Sequence, residues 1–290
     1  MKIAESELII NPNGSIFHLH LLPEQIADTI LLVGDQGRVE SVSKYFEKIE
    51  HKVQNREFCT HTGYFNGKRI SVISTGIGTD NIDIVVNELD ALVNIDLKER
   101  TIKDTKKSLN LVRLGTSGAL QEYIDVDSFV ISDYGLGFDG LLNFYNTNNH
   151  PAFNHSLVKS FTEQVNWQSQ LNTPYLVKGS DALISKLEKG MNKGITATAC
   201  GFYGPQGRQL RLQPAVDNLN EKLTAFEKDG LKITNFEMET SALYGLGSLL
   251  GHNTATVCAI IANRIKKQYS KDYKVTVNEL IKITLERLCN

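Results

Sequence analysis

The chain has 290 residues, 41% of them hydrophobic, enough to bury a sizeable core in one large α/β domain or two small ones. Its 31 Lys and Arg against 33 Asp and Glu leave a formal charge of -2, so no basic excess exists to hold nucleic acid or an anionic membrane, and cationic groups that matter must act locally. Residues 1–19 lack a charged-then-apolar leader pattern and no later segment carries 18 uninterrupted apolar residues, which predicts a cytoplasmic protein without a membrane span.

In chain order, the apolar run Thr29 to Val33 ends in Gly34, the pattern of a buried strand that stops at a functional loop. Phe58 to Phe65 and Arg69 to Thr75 flank Asn66-Gly67, a strong hairpin signal. Ile82, Val85, Val86, Leu89 and Val93 then recur at helical spacing. The charged stretch from Leu97 to Ser108 reads as a solvated connection. Leu109 to Leu114 and Ser128 to Asp133 are strand-like, as are Ile195 to Ala199 and Ile233 to Phe236. A helix is expected through Ala242, Leu243, Leu246, Leu249 and Leu250, a strand from Thr256 to Ala262, and a last helix through Val277, Leu280, Ile281, Thr284 and Leu288. Strands alternating with helices, several apolar on both faces, predict a central mixed or parallel sheet with helices on each side. No Pro/Ser-rich linker, repeat or low-complexity tract cuts the chain, which is read as one domain over 1–290.

Residues 135–140 spell GxGxxG after a strand, yet the segment beyond them carries Asn143, Asn146, Asn148, Asn149 and Pro151. The dinucleotide motif needs a helix N-terminus there to hold a pyrophosphate, so that reading fails on context. Cys59, Cys200, Cys258 and Cys289 are scattered without a CxxC pair and read as free thiols; seven histidines contain no HExxH, so no protein-bound metal is expected.

Strand-terminal loops are the expected binding place in such a sheet. Residues 34–38 (GDQGR) follow the first strand, with glycines that permit close backbone approach and Arg38 as a planar fork of donors. Residues 112–118 (VRLGTSG) supply Arg113, Thr116, Ser117 and exposed backbone N–H groups, and Arg56 is a third candidate. Arginines usually face solvent, but two that end separate buried strands beside small residues suit an oxyanion. In residues 202–208 (FYGPQGR), Gln206 and Arg208 lie two apart beyond a Gly-Pro turn, where they could read the O=C–N–H edge of a pyrimidine with Phe202 stacked on its ring; a plain polar surface loop fits the same residues. Glu237 and Glu239 flank Met238 where a strand gives way to a helix. In extended backbone they point the same way and suit the vicinal hydroxyls of a ribose, and they would equally suit a helix's first turn.

Together and in this order, FHL (17–19), GDQGR (34–38), NREF (55–58), STGIG (74–78), VRLGTSGAL (112–120), FYGPQGR (202–208), FEMET (236–240) and IIANR (260–264) resemble the nucleoside phosphorylase superfamily and, within it, the uridine-cleaving branch. The resemblance implies an α/β single-domain three-layer sandwich with a central mixed, partly barrel-like sheet, assembled as a homodimer at least and often as a trimer of dimers. It implies a small-molecule nucleoside and phosphate as partners, and no cofactor beyond phosphate as co-substrate. The family's phosphate site falls on Gly34, Arg38, Arg113 and Thr116, with Arg56 from a neighbouring subunit. Its ribose site falls on Glu237, Met238 and Glu239, with His18 reaching across the interface. Its base site falls on Thr116, Ser117, Phe202, Gln206 and Arg208. Arg208, Gln206, Arg113 and Glu239 are the expected catalytic residues. Purine-cleaving members place an aspartate near the strand end where this chain has Asn263 and Arg264. Glu57 and Ile77 match positions at which some bacterial relatives hold a monovalent cation between subunits, whereas Asn81 replaces a serine. The implied activity is phosphorolysis of a pyrimidine nucleoside; a purine phosphorylase, a phosphate-independent nucleosidase and a silent nucleoside-binding protein are the alternatives.

Overall fold

Strands apolar on both faces need cover on both sides, and a computed structural model of the chain, describing residues 2–290, arranges them in that way. The elements are β1 (Thr29–Val33), α1 (Gln36–Ser43), β2 (Lys48–Asn55), β3 (Phe58–Phe65), β4 (Lys68–Ser74), α2 (Thr79–Asn94), β5 (Ile95–Asp96), β6 (Thr101–Ile102), β7 (Asn110–Ala119) and β8 (Phe129–Gly137). They continue with α3 (His155–Val165), β9 (Tyr175–Lys178), α4 (Asp181–Leu187), β10 (Asn192–Thr198), α5 (Leu219–Ala225), β11 (Glu227–Lys228), β12 (Leu231–Glu237), α6 (Thr240–Leu249), β13 (Asn253–Asn263), β14 (Gln268–Tyr269) and α7 (Tyr273–Cys289).

A 12-stranded sheet runs in the order β11-β12-β10-β8-β13-β7-β1-β4-β3-β2, with β9 on β8 and β14 on β13. β1 is parallel to β4 and β7, β7 to β13, and β10 to β8 and β12, whereas β2, β3 and β4 are antiparallel neighbours. β12 also pairs antiparallel with β7 through Asn235↔Ala119 and Phe236↔Gly118, so β7, β12, β10, β8 and β13 close a ring. The sheet is therefore mixed and barrel-like at one end. Period-two alternation sorts β1 between layers: Ile30 and Leu32 pack with Val85, Leu89 and Leu243 of α2 and α6, while Leu31 and Val33 pack with Val39, Val42, Leu280 and Ile281 of α1 and α7. A further core of Phe161, Phe226, Phe236 and Ile195 lies under α3 and α5.

The Asn-Gly hairpin is present between β3 and β4, with Asn66 at φ 49 and Gly67 at φ 68, both left-handed as a tight turn of this kind requires. The connection after Leu97 is largely exposed; its β6 pairs back on β5, and Thr101 also bridges Lys2 near the start of the chain. Two strands run further than their apolar cores predict. β7 continues through residues 115–118 and β8 through residues 135–137, because small residues there stay paired to β13 and β10. The first part of the GxGxxG string is thus strand, followed by the short 3-10 turn Leu141–Phe144 rather than a phosphate-binding helix. Its glycines have another reason. A Cβ on Gly137 would lie 2.3–2.7 Å from ring atoms of Tyr175, and one on Gly135 would lie 2.8 Å from Ser241 Cα. Gly137→Ala is expected to cost about 1–3 kcal/mol through overpacking, measured as a lower denaturant midpoint at unchanged slope; an unshifted midpoint contradicts this account.

Candidate functional site

The C-terminal ends of β1, β7, β10, β12 and β13 open into one cavity of about 520 Å³. Its place follows from the strand order. β1 pairs β7 as far as Leu114, and β12 takes over only at Gly118, so Gly115, Thr116 and Ser117 keep one strand edge without a neighbour while β13 pairs the other. Residues 115–118, expected as a loop, are therefore strand, and their availability comes from a fork in the sheet. Thr116 and Ser117 both line the cavity, although the Ser117 hydroxyl accepts from Asn235 Nδ2 at 2.9 Å.

One end of the cavity collects Gly34, Arg38 and Arg113. Asp35 caps α1 by accepting from Arg38 N at 3.0 Å, which sets Arg38 in the first helical turn, and Arg38 Nη1 donates to Leu114 O at 3.3 Å. Burial lowers the pKa of Arg38, with the neighbouring Arg113 charge adding to the fall and Asp35 opposing it. Arg113 is only 5% exposed. Its Nε donates to Glu237 Oε2 at 3.2 Å and its Nη2 to Glu239 Oε2, while Nη1 is buried without a protein partner. Burial alone would lower its pKa; Glu239 and Glu237 outweigh that and raise it. A buried donor left unmatched beside a second guanidinium suits an anion.

The carboxylate pair sits between helix starts. Glu237 ends β12 and Glu239 immediately precedes α6, so both the extended and the helical reading of the motif contain part of the truth. Glu237 is 4% exposed and Glu239 3%. Glu239 Oε1 accepts from Gly78 N at 2.9 Å at the start of α2, where the helix dipole favours an anion. Burial, with Glu237 beside it, holds the Glu239 carboxyl above the ordinary range despite Arg113. Glu237 accepts from Thr198 Oγ1, Glu239 N and Thr240 N at 2.7–3.0 Å besides Arg113, so its acceptors are taken by the protein, contrary to a free ribose acceptor. Met238 lines the cavity between them.

At the opposite end stand Phe202, Gln206, Arg208 and Arg264. Gln206 is 3% exposed, and its Oε1 accepts from Arg208 Nη1, which also donates to Phe202 O at 2.6 Å. The Arg208 guanidinium lies 3.8 Å over the Phe202 ring, occupying a face expected for a base. Burial and then the Arg264 charge push Arg208 down to about 10, still a cation at neutral pH. Arg264 Nη2 donates to Gln206 O at 3.3 Å and its Nη1 has no partner. Asn263 does not enter the cavity: its Nδ2 donates to Gln121 O and Ile124 O and its Oδ1 accepts from Ile265 N and Lys266 N, all at 2.7–2.9 Å. The side chain that lines the cavity at this strand end is Arg264.

His18 and Arg56 lie outside the cavity of their own chain. They are neighbours through Asn55, whose Nδ2 donates to His18 O at 2.8 Å, and Arg56 occupies a left-handed turn position at φ 52 between β2 and β3. The surface that carries one carries the other. Near Glu57 and Ile77, Asn81 Nδ2 donates to Ile77 O at 3.4 Å. Among the described residues there is no group of three His, Cys, Asp or Glu able to hold a metal, all four cysteines are free, and no helix is long and apolar enough to cross a membrane.

Asp35, Ile77, Ile261, Ala262 and Tyr269 also line the cavity; the first four lie inside the quoted motifs without a role assigned to them, and Tyr269 lies outside every motif. Tyr269 arrives through β14, whose two residues pair back on Ala262 and Asn263, a long-range contact with no local signal. Asp35 was legible as a capping residue two after the strand end.

The family model described as Phosphorylase superfamily matches residues 28–287. The chain is 28% identical to the uridine phosphorylase of Thermococcus kodakarensis, covering 98% of this chain and 92% of that one. It is 29% identical to a DeoD-type purine nucleoside phosphorylase of Clostridium perfringens, over 93% and 97% of the two chains. A crystal structure of a Trypanosoma brucei nucleoside phosphorylase, reported to show uridine phosphorylase activity, superposes with a TM-score of 0.87 at 28% identity, covering 97% of this chain and 99% of that one.

Proposed function

This chain belongs to the phosphorylase superfamily, and from that premise we propose that it catalyses the reversible phosphorolysis of uridine to uracil and ribose 1-phosphate. The observation that carries the reading is the buried, unpartnered Nη1 of Arg113 beside Arg38, next to the open side of Glu239 and across the cavity from Gln206 and Arg208. A hydrolase using water needs no such cationic end. Phosphate held by Arg38, Arg113, Thr116 and the backbone at Gly34 attacks C1′ as the glycosidic C–N bond breaks. Charge on the sugar becomes oxocarbenium-like, as in glycoside hydrolysis, and the dianion stabilises it. Positioning replaces a chance encounter. Glu239 and Met238 cradle the sugar, and Gln206 with Arg208 stabilises uracil as it leaves with the bonding electrons and then takes a proton. The patch that joins His18 and Arg56 is the surface at which a second copy docks, contributing both to its neighbour's cavity in a homodimer or a larger assembly built from it.

A panel of uridine, 2′-deoxyuridine, thymidine and inosine, each with and without phosphate, tests this. Uracil release from uridine that requires phosphate is expected. Equal release without phosphate means a nucleosidase, preferential cleavage of inosine a purine phosphorylase, and binding without turnover a non-catalytic protein.

A further inference from the structure

Carboxylate geometry divides Glu237 from Glu239. A carboxylate offers about four lone-pair positions. Glu237 meets four donor groups: Thr198 Oγ1 at 2.7 Å, Arg113 Nε at 3.2 Å, Glu239 N at 2.9 Å, and Thr240 N at 3.0 Å to both oxygens. It has no capacity left. Glu239 meets two, with Gly78 N at one oxygen and Arg113 Nη2 at the other, so each oxygen keeps an open position. That is the arrangement for two adjacent hydroxyls.

The hydroxyl that turns Glu237 inward is itself fixed. Thr198 ends β10 in register with Glu237 and is fully buried. Its Oγ1 accepts from Ser241 N at 3.0 Å while donating to Glu237. Ser241 Oγ and Tyr175 OH are 2.9 Å apart, and both donate to Asp139, at 3.2 Å and 2.8 Å. The close seating of Tyr175 and Ser241 on β8 is what Gly137 and Gly135 permit. The GxGxxG string that failed as a nucleotide motif therefore serves a buried polar scaffold behind the carboxylate.

We propose that Glu237 does not touch the sugar but is a positioning residue, oriented by Thr198, that aims Arg113 and leaves Glu239 as the acceptor of the ribose hydroxyls. The assignment rests on the phosphorolysis reading above.

The test compares kcat/KM on uridine, 2′-deoxyuridine and 3′-deoxyuridine for the wild type, Glu237→Gln, Glu239→Gln, Thr198→Val and Thr198→Ser. A residue that contacts a hydroxyl loses less when that hydroxyl is already absent. Glu237→Gln is expected to lower all three values by a common factor of about 10², the scale of a misplaced catalytic group. Thr198→Val shows the same flat pattern with a smaller loss, and Thr198→Ser, which keeps the hydroxyl, restores activity. For Glu239→Gln the loss shrinks on a deoxynucleoside. A Glu237→Gln defect that shrinks about fivefold or more on 2′-deoxyuridine, read as a lost contact, overturns the proposal, as does full activity in Thr198→Val. If the wild type cleaves none of the three, the functional reading fails separately. Crystals of Thr198→Val then decide the positioning claim: a displaced Glu237 carboxylate and Arg113 side chain support it, and unchanged positions defeat it.

Discussion

Replacing Arg113 with alanine is expected to produce the largest combined loss of stability and activity of any single substitution in this chain. Arg113 is the only cation bonded to Glu237 and Glu239 among the described residues, and all three side chains are almost fully buried. Removing one partner of a buried ion pair strands the other charge and costs about 3–5 kcal/mol. Here two carboxylates are stranded, although the backbone N–H groups of Gly78, Glu239 and Thr240 still hold them. The loss should depend on pH. With its pKa raised by burial and by Glu237, Glu239 favours folding in its protonated form. Its contribution is fully present below the ordinary carboxylate range, about 4.3 for Glu, and is lost as pH rises through the raised folded value. Without Arg113 that rise is larger, so Arg113→Ala should close part of its stability gap to the wild type as pH falls from 8 toward 5, measured by chemical denaturation at each pH. Adding Glu239→Gln should recover stability at pH 8 without recovering turnover. Phosphorolysis in Arg113→Ala should fall by about 10²–10³, the scale of one lost electrostatic donor. An Arg113→Ala protein as stable as the wild type at pH 8 contradicts the buried-charge account.

Arg208→Ala is expected to separate catalysis from anion binding. Arg208 lies at the base end of the cavity, bonded to Gln206 and stacked on Phe202, with no contact to Arg38 or Arg113. Losing a donor to developing negative charge costs about 3 kcal/mol in the barrier, a fall in kcat of about two orders of magnitude. The KM for phosphate should change little, because the phosphate end is untouched. Relief of the Arg264 repulsion offsets part of the cost of leaving the buried Gln206 Oε1 without its donor. Steady-state kinetics with phosphate varied at saturating uridine measures both quantities. Wild-type turnover in this variant removes Arg208 from the mechanism, and an equal rise in phosphate KM means that the two ends of the cavity are not independent.

Much of the fold was legible because local chemistry settled it. The hairpin between β3 and β4 follows from Asn66-Gly67, and the three-layer arrangement follows from β1 being apolar on both faces. β2 was not foreseen: its alternation of exposed and half-buried positions in KIEHKVQN offers no apolar run, as befits a sheet edge. The ends of β7 and β8 were cut short for the opposite reason, since glycine and small hydroxyl residues weaken the strand signal although their backbone pairing continues. In the site, motif residues announced themselves, whereas Tyr269 came through the two-residue pairing of β14 on β13.

By itself the sequence determined the residue types: arginines and glycines at strand ends, an acid–methionine–acid triplet, and an amide with a guanidinium beyond a turn. Only the tertiary structure decided which of them face the ligand. The registers of β10 against β12 and of β7 against β13 carry Arg113 to carboxylates 124 and 126 residues away and turn Glu237 inward on Thr198. A side chain's chemistry is a local property, but its unused hydrogen-bonding capacity is what remains after distant neighbours have taken their share, and no spacing along the chain records that remainder.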